Sequence, residues 1–184
     1  MRSKIDDYLD IEIPEINGKN GIGRKIALWK IRRNKPGKDA IYMIRFYLEN
    51  RGKKGLKKFF SSRYKRKLVK NYGIYLNVSN SESLGIGLKI PHPSSIIIGS
   101  GTVIGRYCTI YQDVTFGAKS LGAAETDSYP KVGDNCVFYA GAKIIGNINV
   151  ADGTQVGANA VLLKDTQAEG IYVGIPAKKI GKND

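Results

Sequence analysis

Histidine is almost missing from this chain. Of its 184 residues only His92 carries an imidazole. One histidine excludes a metal site built from several of them within the chain. Cysteine is nearly as scarce. Cys108 and Cys136 stand far apart, without metal-ligand spacing, and read as small core or corner fillers in a reducing cytoplasm. No run approaches the roughly 20 consecutive apolar residues of a membrane span. The first residues, with Asp6, Asp7, Asp10, Glu12 and Glu15, contain no apolar stretch of the kind a signal peptide needs. Carboxylates are few beside cations, 16 against 30, for a formal charge of +14. The imbalance is local. Residues 1–74 hold 21 Lys and Arg against 7 Asp and Glu, while residues 75–184 hold 9 of each. The predicted organisation follows that split: a basic helical region over 1–74 and a second unit over 75–184.

What is abundant in the second unit is a period of six. Ile98, Ile104, Ile110 and Phe116 form one run; Val132, Phe138, Ile144, Val150, Val156 and Leu162 form another. Glycine follows several of them, at Gly99, Gly105, Gly117, Gly133 and Gly157. An α-helix has 3.6 residues per turn and cannot keep one face apolar on a strict period of six. Short strands joined by tight corners can, with one aliphatic side chain pointing inward per strand. Three such strands close a triangular coil, and stacked coils make a parallel β-helix. The glycines suit corners where a side chain would clash or φ must be positive. Phe116 and Val132 are sixteen apart rather than six, which predicts a loop insert over about 118–130. Inserts in such solenoids often carry the binding face.

The N-terminal region reads as an irregular arm over 1–22, a short helix over 24–33, and a helix from Asp39, its expected cap, to Gly52. A basic amphipathic helix over 53–72 follows. Leu56, Phe59, Phe60, Tyr64 and Leu68 share one side of it. Its cations suit a solvated face, or an anionic surface such as inner-leaflet lipid or an acidic glycan. No nucleic-acid fold or base-reading motif accompanies them. His92, between Pro91 and Pro93, falls one hexad before Ile98. Either the register breaks there or the imidazole points inward, and the prolines favour a break. A lone histidine suits a structural role or a general base.

Several segments carry a family resemblance. They are Pro91–Gly99, Thr109–Gly117, Tyr129–Gly133, Gly141–Ile148 and Gly174–Lys178. In them the chain resembles the left-handed hexapeptide-repeat acyltransferases, most closely the serine acetyltransferase branch. The resemblance covers residues 85–181. It implies a left-handed parallel β-helix, acetyl-coenzyme A as acyl donor, no metal, and His92 as general base. By likeness to galactoside acetyltransferase it implies the Ala140 amide as oxyanion donor. It also implies a homotrimer, because the family binds the pantetheine arm in a groove between subunits. Gly117, Ala140, Ala158, Leu163, Lys164 and Lys178 fall along that groove, with Tyr129 and Asp113 on the acceptor side.

The departures from the branch turn the expectation of substrate. Pro91 stands where serine acetyltransferases have Asp, and Tyr129 where they have a second His. Asn77 stands where they have the carboxylate that orients the catalytic His. The short form resembles the O-acetyltransferases of bacterial surface polysaccharides. The expected activity is therefore acetyl transfer to a sugar hydroxyl of such a glycan or its lipid-linked precursor, in the cytoplasm or peripherally at the inner membrane. The alternatives are a serine O-acetyltransferase, for which useful activity on free serine is not expected, and a non-catalytic β-helix that binds anionic surfaces.

Overall fold

The computed structural model describes residues 4–78, 81–119 and 128–182. Four helices come first: α1 (Lys4–Glu12), α2 (Gly21–Asn34), α3 (Pro36–Asn50) and α4 (Leu56–Tyr72). None of the helices among the described residues is long and apolar enough to cross a membrane.

α1 corrects the expected irregular arm. Its residues are too polar to signal a helix by periodicity. What holds it is a small second core, in which buried Leu9, Ile13 and Ile16 pack on Ala27, Leu28, Ile31 and Tyr42. α3 also begins earlier than expected. Pro36 opens it, suited to the first helical turn by its fixed φ and missing N–H. Asp39 lies inside that turn and caps nothing. It accepts instead from Arg32 Nε at 2.5 Å and the Tyr72 hydroxyl at 3.0 Å, tying α2, α3 and α4 together. α4 begins three residues later than expected, at Leu56, and its buried side is Ser61 and Leu68, while Leu56, Phe59 and Phe60 face water.

The rest is a left-handed parallel β-helix. Sheet A stacks β1 (Tyr75–Leu76), β2 (Ile97–Ile98), β5 (Thr115–Gly117), β8 (Lys143–Ile145) and β11 (Val161–Leu162). Sheet B stacks β3 (Val103–Ile104), β6 (Lys131–Val132) and β9 (Asn149–Val150). Sheet C stacks β4 (Thr109–Ile110), β7 (Val137–Phe138), β10 (Gln155–Val156) and β12 (Gly170–Val173), closed by β13 (Lys178–Lys182). All pairings are parallel except β12 with β13. Register steps by eighteen in ordinary coils, as from Ile97 to Thr115 and Lys143 to Val161. It steps by twenty-eight from Thr115 to Lys143, so ten extra residues fall between β5 and β6. The expected insert over about 118–130 falls in this interval; its residues 120–127 lie outside the described residues.

Every hexad position is buried, and Phe116 and Phe138 meet edge to face at 4.9 Å in the centre. Two corners turn through left-handed residues. Ser95, Asp113, Gly141 and Asn159 precede sheet A; Gly87, Tyr107, Asn135, Gly153 and Glu169 precede sheet C. The glycines after the hexad residues serve a different need. A Cβ on Gly105 would lie 2.4 Å from the Gly133 carbonyl oxygen of the next coil, so contact between coils, not φ, demands glycine there.

The helices sit on the first coil, and one hydrophobic core runs from Ala40 through Leu68 and Ile74 to Tyr172. A buried ion pair stitches the layers. Arg45 on α3 donates to Glu12 on α1 and to the carbonyls of Leu84 and Gly85, at 2.7 and 2.6 Å. Glu12 also accepts from the Leu88 N–H at 3.0 Å.

Candidate active site

The corner leading from sheet C to sheet A places His92. In later coils the inward residues on either side of this corner are six apart: Ile110 and Phe116, Phe138 and Ile144, Val156 and Leu162. At the first such corner, Ile90 and Ile98 are eight apart, both buried. Two extra residues break the register, and His92 is exposed on the resulting turn.

The helical layer fixes that turn from behind. The Ser94 N–H donates to the His92 carbonyl at 2.9 Å, and the Ser95 N–H to the Tyr72 carbonyl at 2.8 Å. A Cβ on Gly37, in the first turn of α3, would lie 2.1 Å from the Ile90 carbonyl oxygen. Only glycine lets α3 approach so closely. Burial, then the neighbouring Asp39 carboxylate, pushes the Tyr72 hydroxyl up to about 12, so it stays a donor to Asp39 at neutral pH.

The corners of the following coils stack in register with the His92 turn. Tyr111 lies beside His92, ring centroids 6.1 Å apart, and Tyr139 stacks on Tyr111 at 5.6 Å. The Tyr139 hydroxyl donates to Gln155 at 3.1 Å. One residue further along, Gln112, Ala140 and Ala158 form a second column. It is knitted by the Gly141 N–H to the Gln112 carbonyl and the Asn159 N–H to the Ala140 carbonyl, each 2.9 Å. Among the described residues nothing accepts from the N–H groups of Gln112, Ala140 or Ala158. The buried Oε1 of Gln112 likewise has no partner among them. Free amides lined by two alanines suit an extended amide-bearing arm that bonds to backbone.

Asp113 belongs to this corner as well. Its N–H donates to the Ser94 carbonyl at 2.9 Å, and its own carbonyl accepts from Lys143. The corner thus gathers His92, Asp113, Ala140 and Ala158. The other expected residues lie across sheet A. Asn77, Gly117 and Leu163 follow the inward residues of β1, β5 and β11, so they mark its opposite edge. Lys164 is exposed just beyond Leu163. Asn77 therefore does not orient His92 within one chain; its Oδ1 accepts from Lys65 at 3.4 Å. Tyr129 lies over Gly99 at that same far edge, and Lys178 is on β13. Tyr111, Tyr139 and Gln112 share the candidate corner, and hexad reasoning passed over them. Their signal was positional: each follows an inward residue of sheet C by one or two.

Stacked hexad coils, left-handed corners and one exposed histidine above a column of amides with no acceptor among the described residues define a hexapeptide-repeat β-helix with a candidate site at one corner. The chain has the left-handed β-helix fold of the hexapeptide-repeat acyltransferases and is similar in sequence to serine acetyltransferases. It is 30% identical over 143 residues to the serine acetyltransferase of Escherichia coli K12, covering 78% of this chain and 50% of that one. It is 31% identical over 141 residues to that of Buchnera aphidicola from Acyrthosiphon pisum, covering 77% and 49%. Among solved structures, soybean serine acetyltransferase superposes with TM-score 0.70 at 25% identity, over 96% of this chain and 69% of the other. The Neisseria gonorrhoeae enzyme does so at 0.71 and 24%, over 97% and 67%, a likeness of fold. A serine acetyltransferase solved in complex with coenzyme A matches at 0.66 and 27%, over 96% and 69%. The chain spans about half the length of these two curated relatives. No protein-family model matches it.

These relatives overturn the expected polysaccharide activity, with its glycan acceptor, because those reported are serine acetyltransferases. The departures that suggested it have local explanations. Pro91 shapes the turn against Gly37, and Tyr129 fills the space over Gly99, across sheet A from His92.

Proposed function

We propose that the chain is a serine O-acetyltransferase, moving the acetyl group of acetyl-coenzyme A to the serine hydroxyl. The observation that carries this is the exposed His92 on a rigidly backed corner, in register with the free amides of Ala140 and Ala158. A relative bound to coenzyme A supports the donor.

His92 accepts the hydroxyl proton as serine attacks the thioester carbonyl. The tetrahedral oxyanion is held by the Ala140 N–H. Collapse expels the coenzyme A thiolate, which recovers the proton from His92. Neither cysteine takes part, since both are buried. Ala140 and Ala158 line the pantetheine arm, and Lys164 and Lys178 meet the phosphates. Asp113 and Gln112 face the acceptor.

The candidate residues divide between two edges of sheet A. A homotrimer resolves the division by setting the Asn77–Gly117–Leu163 edge of one chain against the His92 corner of the next. In that arrangement Tyr129 and Asn77 meet the site from the neighbour. Buried free thiols fit a cytoplasmic setting.

The test is product identification. Incubation with acetyl-coenzyme A and L-serine, followed by mass spectrometry, should yield O-acetyl-L-serine with saturation in both substrates. A folded trimer that binds coenzyme A but yields no acetylated serine would refute the acceptor.

A further inference from the structure

Helices α2 and α4 carry no carboxylate. α2 holds five Lys and Arg and α4 holds seven. The two helices run in the same direction, because α3 folds back along both. Asp39, early in α3, meets Arg32 late in α2 and Tyr72 at the end of α4. Tyr47, late in α3, meets Ser61 in the first half of α4. Arg32 and Tyr64 are level, joined by a 3.3 Å hydrogen bond. Between the helices lies a cleft of about 450 Å3, lined among others by Lys25, Trp29, Arg33, Tyr64 and Lys67.

Both helices put large apolar side chains into water before the level of Arg32 and Tyr64. Ile22 and Leu56 are each 76% exposed, Trp29 58% and Phe59 55%; Ile26 and Phe60 are exposed too. Phe59 and Phe60 meet edge to face, ring centroids 5.6 Å apart. Trp29 is one turn before Arg32, and Phe60 one turn before Tyr64, so the two groups sit at the same end of the helix pair. Single exposed apolar residues are ordinary. Six on two adjacent helices, amid cations, mark a contact surface.

We propose that this surface docks on an anionic phospholipid membrane. The six apolar side chains enter the boundary between headgroups and acyl chains, and the surrounding lysines and arginines meet lipid phosphates. The charge selects this occupant. A second copy of the chain would bring two faces of strong net positive charge together, since the cleft has Asp39 alone against Lys25, Arg32, Arg33 and Lys67. A soluble polyanion would use the cations and leave the apolar side chains in water. The docking surface stands apart from the His92 corner, so the proposal does not depend on acetyl transfer.

Trp29 is the only tryptophan, and its fluorescence reports on the surface directly. With vesicles of phosphatidylglycerol and phosphatidylcholine, emission should shift to the blue and be quenched by brominated acyl chains. Pure phosphatidylcholine vesicles should cause neither. The exposed pair Phe59→Gln and Phe60→Gln should weaken partitioning by about tenfold or more at unchanged helix content. Lys57→Gln with Lys58→Gln and Arg63→Gln should flatten its salt dependence. Both sets should leave acetyl transfer in solution unaltered. Folded protein that fails to cosediment with anionic vesicles overturns the proposal. So does a blue shift that grows with protein concentration without vesicles, which would mean self-association. A response to soluble polyphosphate equal to that with vesicles would also overturn it, in favour of a free anion site.

Discussion

At the residue scale, small choices decide where chemistry can occur. His92 is available because the first corner holds two residues more than the later ones, and prolines on both sides of the imidazole suit that break. This much was legible: one histidine, two prolines and a hexad out of phase. Its surroundings were not. Tyr111, Tyr139 and Gln112 carry no motif, and they join the site only through coil stacking. Asn77 illustrates the reverse. Counting along the chain puts it beside His92, whereas the fold puts it across sheet A. The cysteines are simpler. Both side chains are fully buried, and the Cys136 thiol is pushed up by its contact with Cys108 and by burial. Native protein should therefore react with an aromatic disulfide reagent at neither thiol until it is unfolded. Stoichiometric labelling of folded protein would contradict the burial of both.

At the element scale, the β-helix was readable and the helical layer was less so. A strand of two residues leaves one inward side chain per face, so the hexads spell out the sheets. Helices α1 and α3 are fixed by long-range partners that no local pattern reveals. The Glu12–Arg45 pair is the clearest case, with side chains only 0% and 4% exposed. Removing one partner of a buried pair strands the other, at a cost of about 3–5 kcal/mol. Glu12→Ala should show a loss of that size in denaturant titration; a loss under about 1 kcal/mol would mean that the pair is not buried in solution. Glu15 makes a weaker, more exposed tie. Its bonds to Lys35 and Lys38 hold its carboxyl down at about 2, against an ordinary 4.5. A depressed carboxyl contributes stability above the ordinary value and loses it as pH falls from about 4.5 to about 2. Glu15→Gln should lower the melting temperature slightly at neutral pH and converge with the parent near pH 2. Parallel curves across that range would contradict the assignment.

At the scale of the whole molecule, charge and chemistry occupy different ends. The cationic excess is confined to the helices, and the coils are neutral overall. Coenzyme A requires only a few lysines near the coils. The proposed acceptor, serine, is small and requires no extended surface, which would leave the basic helices free for another role. The central claim rests on one imidazole. The decisive measurement is thiol release from acetyl-coenzyme A with L-serine as acceptor, comparing the parent protein with His92→Ala, both checked for fold and assembly. The account predicts serine-dependent release by the parent and a fall of about 10²-fold or more in the variant, the usual size of a general-base effect. Equal serine-dependent rates in the two proteins would contradict it.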